Sequence, residues 1–198
     1  YRKAKYIIVE LNNLFSIIIH LGMSGRLKIY YLKDKIVKNK HDHIKIFLSK
    51  GIKLVFNDPR RFGIFDMIQT YKIQKHKYFS QLGKDPFDKD LNEEYLYNCL
   101  KNSSSNIKSL LLKQNIVSGI GNIYACEILF KSKISPFSKG KEINRKQISK
   151  LIKSIRMVLR LAIKNRGTSL KNYKAVDGTL GNYQNKLYVY NKAGQFVK

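Results

Sequence analysis

Between positions 6 and 68 the chain sets short β-branched and aromatic runs against polar turns. The runs at 6–11, 15–21, 27–32, 44–48, 52–56 and 63–68 each predict a strand. Ser49-Lys50-Gly51 reads as a hairpin connection between two of them. Short strands at such close spacing suggest an antiparallel sandwich or barrel. Leu82-Gly83-Lys84-Asp85-Pro86-Phe87 then punctuates the chain with glycine and proline. Beyond it the apolar period lengthens to that of a helix. Asp90, with Glu93 three residues on, predicts a cap opening a helix to about Leu100. Further helices are predicted over 107–114 and 122–130, the latter following the tight turn Ser118-Gly119-Ile120-Gly121. The longest begins near Asn144, with Gln147 placed for a capping box. Its apolar stripe is Ile148, Leu151, Ile152, Ile155, Val158, Leu159 and Ala162. Leu187-Tyr188-Val189-Tyr190 predicts one more short strand. The fold class expected is α+β, an antiparallel β-sandwich followed by a helical domain. Its partition is 1–81, a linker over 82–89, and 90–198.

Composition adds a partner. The formal net charge is +26, which calls for an anionic partner, nucleic acid first. Lysine supplies 31 of the 39 basic residues, so an A+T-rich genome accounts for a share of that charge without selection for binding. Cys99 and Cys126 stand apart with no metal-ligand spacing and read as reduced thiols of an intracellular protein. No run approaches the roughly 18 apolar residues of a membrane span. The first residue is Tyr1, so nothing is read from the lack of a targeting segment.

Two turns carry candidate chemistry. His20-Leu21-Gly22-Met23-Ser24-Gly25 and Asn57-Asp58-Pro59-Arg60-Arg61-Phe62-Gly63 each place a large apolar residue on a turn beside polar or cationic groups. Met23 and Phe62 fit wedges that enter a stacked duplex, since an extruded base leaves a gap to be filled. The plainer reading makes both core residues at strand ends. Gly119-x-Gly121-Asn122 opens a helix whose free N–H groups suit a phosphate oxygen, or it is an ordinary tight turn. His20 ends an apolar strand, where a hydrogen-bonded core histidine is the simpler reading. His41 and His43 lack further ligands nearby and read as structural. The stretch 167–173, small and polar after a long helix, reads as a flexible loop.

Ala4-Lys5-Tyr6, 20–27, His41-Asp42-His43, 58–63, 82–87, Gly119-Ile120-Gly121-Asn122-Ile123-Tyr124-Ala125 and Gly167-Thr168-Ser169-Leu170-Lys171 occur in this order over nearly the whole chain. In that order they resemble the bacterial formamidopyrimidine-DNA glycosylases, which remove oxidised purines such as 8-oxoguanine. The resemblance implies a bifunctional glycosylase and abasic-site lyase of base-excision repair. Damaged duplex DNA would be its partner, held by a monomer in the bacterial cytoplasm. It implies a helix–two-turn–helix element around Gly119-x-Gly121. Met23, Arg60 and Phe62 would enter the duplex, Arg60 beside the orphaned cytosine. Lys5, His20, Arg61 and Asn122 would hold phosphates. Thr168, Ser169 and Lys171 would belong to a loop over the extruded base.

Members of that family act through an N-terminal proline followed by glutamate, the amine attacking the sugar C1′ to form a Schiff base. They end in a four-cysteine zinc finger. Tyr1-Arg2-Lys3 and Val197-Lys198 match neither end, so the chain is expected to be an internal portion. On that expectation it has no catalytic residue or metal ligand of its own and is inactive alone, with one zinc in full-length members. Asn115 stands where relatives often carry lysine. Two further readings remain: a sister glycosylase for oxidised pyrimidines, and a non-catalytic DNA- or RNA-binding protein of the same fold.

Overall fold

The structure, a computed structural model, describes residues 1–34, 39–169 and 181–195. They form two compact units, one of Tyr1–Tyr71 with Asn165–Gln184 and one of Lys72–Lys164 with Asn185–Lys198.

The first unit holds two antiparallel sheets. One orders β1 (Arg2–Lys3), β2 (Tyr6–Glu10), β3 (Phe15–His20) and β7 (Ile64–Gln69) as β1-β2-β3-β7. The other orders β4 (Arg26–Tyr30), β6 (Lys53–Asn57) and β5 (Asp42–Phe47) as β4-β6-β5. The six strands expected between positions 6 and 68 all form, with ends shifted by a residue or two. β3 is central in its sheet and buries Ile18 and Ile19. Ile19, Leu27 and Phe56 make a buried cluster joined by Ile7, Ile44 and Phe65, so side chains of both sheets share one core. The expected sandwich is therefore the observed architecture. β1 is an addition, since two basic residues carry no alternation to read. The connection at Ser49–Gly51 is a short 3-10 turn with Lys50 left-handed at φ 60°.

The second unit contains α1 (Glu93–Leu100), α2 (Ile107–Leu112), α3 (Asn122–Ser132) and α4 (Arg145–Lys164). The capping box of α4 forms in both directions: Asn144 N–H donates to Gln147 Oε1 at 3.0 Å and Gln147 N–H to Asn144 Oδ1 at 2.9 Å. Its stripe buries Ile148, Leu151, Ile152, Ile155, Val158 and Ala162. For α1 the cap is Asn92, whose Oδ1 accepts from Tyr95 N–H at 2.9 Å, and not the expected Asp90. Asp90 pairs instead with Lys84 at 3.2 Å.

The stretch expected as a linker is held on the helical unit. Gly83 N–H donates to Gln114 O, Ser118 N–H to Lys84 O, and the Arg156 guanidinium donates to the carbonyls of Pro86, Asp88 and Leu91. The division between units falls between Tyr71 and Lys72.

The strand expected over 187–190 does not form. The Tyr188 N–H donates to one oxygen of the buried Glu127 carboxylate, and the Val189 and Tyr190 N–H groups donate to the other. Those donors satisfy a buried carboxylate, so Tyr188, Val189 and Tyr190 have no N–H left for a ladder.

Candidate nucleic-acid interface

The two turns singled out in the sequence meet at one end of the β unit. Gly22 is left-handed at φ +59°, and a Cβ there would lie 2.8 Å from the backbone of Phe62. Only glycine lets the turns approach this closely. Asp58, 1% exposed, is the hub. Its carboxylate accepts from Ser24 Oγ at 2.5 Å, Gly63 N–H at 2.7 Å and Arg60 N–H at 3.3 Å. Its carbonyl accepts from Arg61 N–H at 3.3 Å, closing a β-turn with Pro59 at the second position. The same carbonyl lies 2.8 Å from His43 Nε2, and Asp58 N–H donates to His41 O. The start of β5 thus pins the turn, through the His43 ring and the His41 backbone carbonyl. Burial raises the Asp58 pKa, but the hydrogen bonds from Ser24, Gly63, Arg60 and Arg61 outweigh it and hold the carboxyl below its ordinary value.

What this frame presents is apolar and cationic. Met23 is 67% exposed and Phe62 57%, so the reading of both as core residues fails. Arg60 lies over the Phe62 ring at 4.7 Å from its centroid. Arg61 is exposed and sits at φ 57°, in the left-handed region.

His20 and Lys5 stand on the neighbouring strand ends. His20 pairs with Tyr6 across β2 and β3, and their rings lie 4.8 Å apart. Gly22 N–H donates to His20 Nδ1 at 3.0 Å, which requires that nitrogen to be unprotonated. Burial first, and the Lys5 charge second, lower the His20 pKa, so the neutral ring carries its proton on Nε2. Desolvation also lowers the pKa of Lys5.

In the same unit, Ser169 N–H donates to Gln184 Oε1 at 3.1 Å and Ser169 Oγ accepts from Gly181 N–H at 2.8 Å. Thr168 is half-buried beside it. Lys171 lies outside the described residues.

The helical unit has its own candidate, the turn before α3. Gly119 is left-handed at φ 88°. Gln114 shapes this turn, accepting from Gly119 N–H at 2.8 Å and donating to the carbonyls of Leu112 and Ile120 at 3.0 Å each. Gly121 is the N-cap, no side chain caps α3, and Asn122 is exposed in its first turn. The helix therefore presents uncapped N–H groups at its positive end.

Sequence reasoning placed Asp58 only as a flank and passed over Ser24 and Gln114. The Asp-Pro pair was a usable signal for the first, as a turn opener. Nothing local marks Gln114, whose partners depend on how the next turn folds. Among the described residues no group of three or more His, Cys, Asp or Glu side chains could hold a metal ion. None of their helices is long and apolar enough to cross a membrane.

Residues 1–65 match the formamidopyrimidine-DNA glycosylase N-terminal domain and residues 82–174 the formamidopyrimidine-DNA glycosylase H2TH domain. The formamidopyrimidine-DNA glycosylase of Roseobacter denitrificans is 40% identical over 199 residues, covering 98% of this chain and 70% of the relative. The Lactococcus lactis Fpg in complex with abasic-site DNA superposes with a TM-score of 0.91 at 33% identity, over 100% of this chain and 72% of that one. The same enzyme bound to DNA containing an oxidised pyrimidine gives 0.90 at 32% identity, over 100% and 71%. With both domains matched and the fold shared, the chain belongs to the formamidopyrimidine-DNA glycosylases, the enzymes that remove damaged bases from DNA in base-excision repair.

Proposed function

We propose that the β unit reads the damaged position by insertion. Met23 fills the space vacated by an extruded base, while Phe62 and Arg60 enter the duplex beside the unpaired partner base. Lys5, His20 and Arg61 take phosphates around that gap. Asn122, with the uncapped start of α3, takes another. Thr168, Ser169 and Lys171 belong to the segment that meets the extruded base. In the full-length protein the lesions are oxidised purines, 8-oxoguanine and formamidopyrimidines, released with nicking of the abasic site. The protein works as a monomer on duplex DNA in the bacterial cytoplasm. A wider range that includes oxidised pyrimidines is favoured by one observation, the Lactococcus lactis relative bound to such DNA. One zinc is expected in full-length members of the family, and among the described residues no group of three or more His, Cys, Asp or Glu could hold it.

The observation that carries this reading is the exposure of Met23 and Phe62 on turns locked from beneath by a buried carboxylate. Other large apolar side chains are exposed too; what sets these two apart is that the turns carrying them meet and are tied to one carboxylate. Paired binding curves test it. Met23→Ala with Phe62→Ala should weaken binding to an abasic-site duplex about tenfold or more, given stacking worth ~1–3 kcal/mol per base, and intact duplex much less. Equal losses on both duplexes would remove the wedge role.

A further inference from the structure

The end of α3 away from the turn proposed to hold a phosphate lies outside the site described above. Between the end of α3, the chain after it and Val189 lies a cavity of about 510 Å³. Leu129, Phe130, Ile134, Pro136 and Val189 make its walls. Lys108 and Lys133 line it as well, and no acidic residue does. Among the described residues no carboxylate pairs with either ammonium. Lys133 ends α3 in the left-handed region at φ 57°, its N–H bonded to the carbonyls of Leu129 and Phe130, so the backbone under one cation is fixed.

A volume of this size suits one or two large side chains, within the ~300–1,000 Å³ range of small-ligand clefts. Unpaired lysines are common in a chain of charge +26, so the cations alone mean little. Their placement over an apolar cavity is what selects a ligand. We propose that this cavity docks a short acidic peptide of a partner protein, with an aromatic or large aliphatic residue in the cavity and carboxylates on Lys108 and Lys133. A purely anionic ligand would leave the apolar walls wet. A purely apolar one would leave two cations unmatched. DNA fits poorly, because its bases are stacked inside a duplex and its outer surface offers no apolar anchor.

The site is compatible with simultaneous DNA binding. Eleven residues of α3 at ~1.5 Å each put its two ends about 16 Å apart. That exceeds the screening length of about 8 Å at physiological salt.

The test is fluorescence anisotropy on the full chain with a fluorescein-labelled peptide, Glu-Asp-Glu-Asp-Leu-Phe, against the same peptide ending in Ala-Ala. The Leu-Phe peptide should bind at least tenfold more tightly, the scale of burying one large apolar side chain. Ser135→Trp, which fills the cavity from an exposed position, should cost a similar factor. Lys133→Asn removes charge while keeping a residue that accepts the left-handed backbone, and Lys108→Gln removes the other charge. Each should weaken binding about threefold, in line with exposed ion pairs. A saturating abasic-site duplex should change peptide affinity by no more than about twofold, as for independent sites. Equal binding of the two peptides, or displacement by the duplex, would overturn the proposal and assign the signal to the basic DNA surface. Should Ser135→Trp melt early, the two lysine variants decide: binding unchanged in both overturns it.

Discussion

The turn at 57–63 and the turn at 114–122 solve one problem with different chemistry. Each holds a tight backbone reversal in a fixed shape and leaves a polar or cationic group pointing outward. In the first, the hub is the ionised carboxylate of Asp58, which only accepts, and every partner is a donor: Ser24 Oγ and the N–H groups of Arg60 and Gly63. In the second, the hub is the neutral amide of Gln114, which accepts from Gly119 and donates to Leu112 and Ile120. The carboxylate suits a turn whose free groups are N–H donors, and the amide suits one with carbonyls left over as well. A negative hub under Arg60 and Arg61 also partly offsets two adjacent cations on one turn.

Removing the charged hub should have the largest effect. Asp58→Ala leaves Ser24 Oγ and Gly63 N–H without their partner in a partly buried place, while Arg60 N–H keeps Ser24 Oγ, a loss of about 3 kcal/mol on the scale of unsatisfied hydrogen bonds. Chemical denaturation would read this directly, and abasic-site selectivity should fall with it. Because the folded pKa of Asp58 is depressed, its contribution is present above the ordinary carboxylate range and is lost as pH falls through the folded value. The wild-type β unit should therefore weaken in acid, and Asp58→Asn should flatten that dependence. A wild-type and Asp58→Asn pair with parallel pH profiles would mean another group controls the acid transition.

Gln114→Glu converts the neutral hub into a charged one, with the opposite sign. A carboxylate can still accept from Gly119 N–H but would face the Leu112 and Ile120 carbonyls, acceptor against acceptor. The variant should lose about 2 kcal/mol at neutral pH, the cost of an unmatched buried polar contact, and regain part of it on acidification as the new carboxyl takes a proton. Thermal melts at pH 7.5 and pH 5 suffice. A variant equally stable at both would show that Gln114 does not hold the turn by donating.

Legibility from the chain followed the same division between local and distant causes. Alternation marks β5, where Ile44 and Ile46 are half-buried and Lys45 is exposed, while β3 and β6 bury consecutive residues and were legible as β-branched and aromatic runs. The α4 stripe and its capping box were complete in local spacing. Leu187 to Tyr190 had strand-like alternation, yet Glu127, some sixty residues away, took its donors. The outward groups Met23, Phe62 and Asn122 were visible as anomalies on turns. The hubs beneath them were harder: Asp58 was adjacent to its partners but ambiguous, and Gln114 depends on a turn formed after it.

What the two turns present can be separated by salt. Arg61 is a full charge, and Asn122 is a neutral donor at a helix start. Each neutralised phosphate contributes roughly −0.9 to the slope of log K against log salt. Arg61→Asn keeps a residue suited to the left-handed backbone, so it tests charge without added strain. Its slope should be shallower by about one unit. Asn122→Ala should weaken binding while leaving the slope as it was. If the two variants shift the slope equally, the division into a charged and a neutral contact is wrong.

The smallest expected effect lies at His20, where the same choice between charged and neutral is made by a single proton. Its Nδ1 accepts from Gly22 N–H, which only the neutral ring permits, and burial with the nearby Lys5 lowers its pKa. A histidine so depressed favours the folded state above its ordinary value near 6.5, and that contribution fades as pH falls toward the folded value. At neutral pH the ring should therefore offer Nε2–H outward, a neutral donor for a phosphate, beside a turn held by a charge. Nitrogen-15 NMR of the free protein can read the tautomer. The expected result is a protonated Nε2 at pH 7.5, with titration below the free-histidine range. A proton on Nδ1 at that pH would break the Gly22 contact and leave His20 without the geometry assigned to it. A pKa above the ordinary value would say instead that His20 meets DNA as a cation, like Arg61 and unlike Asn122.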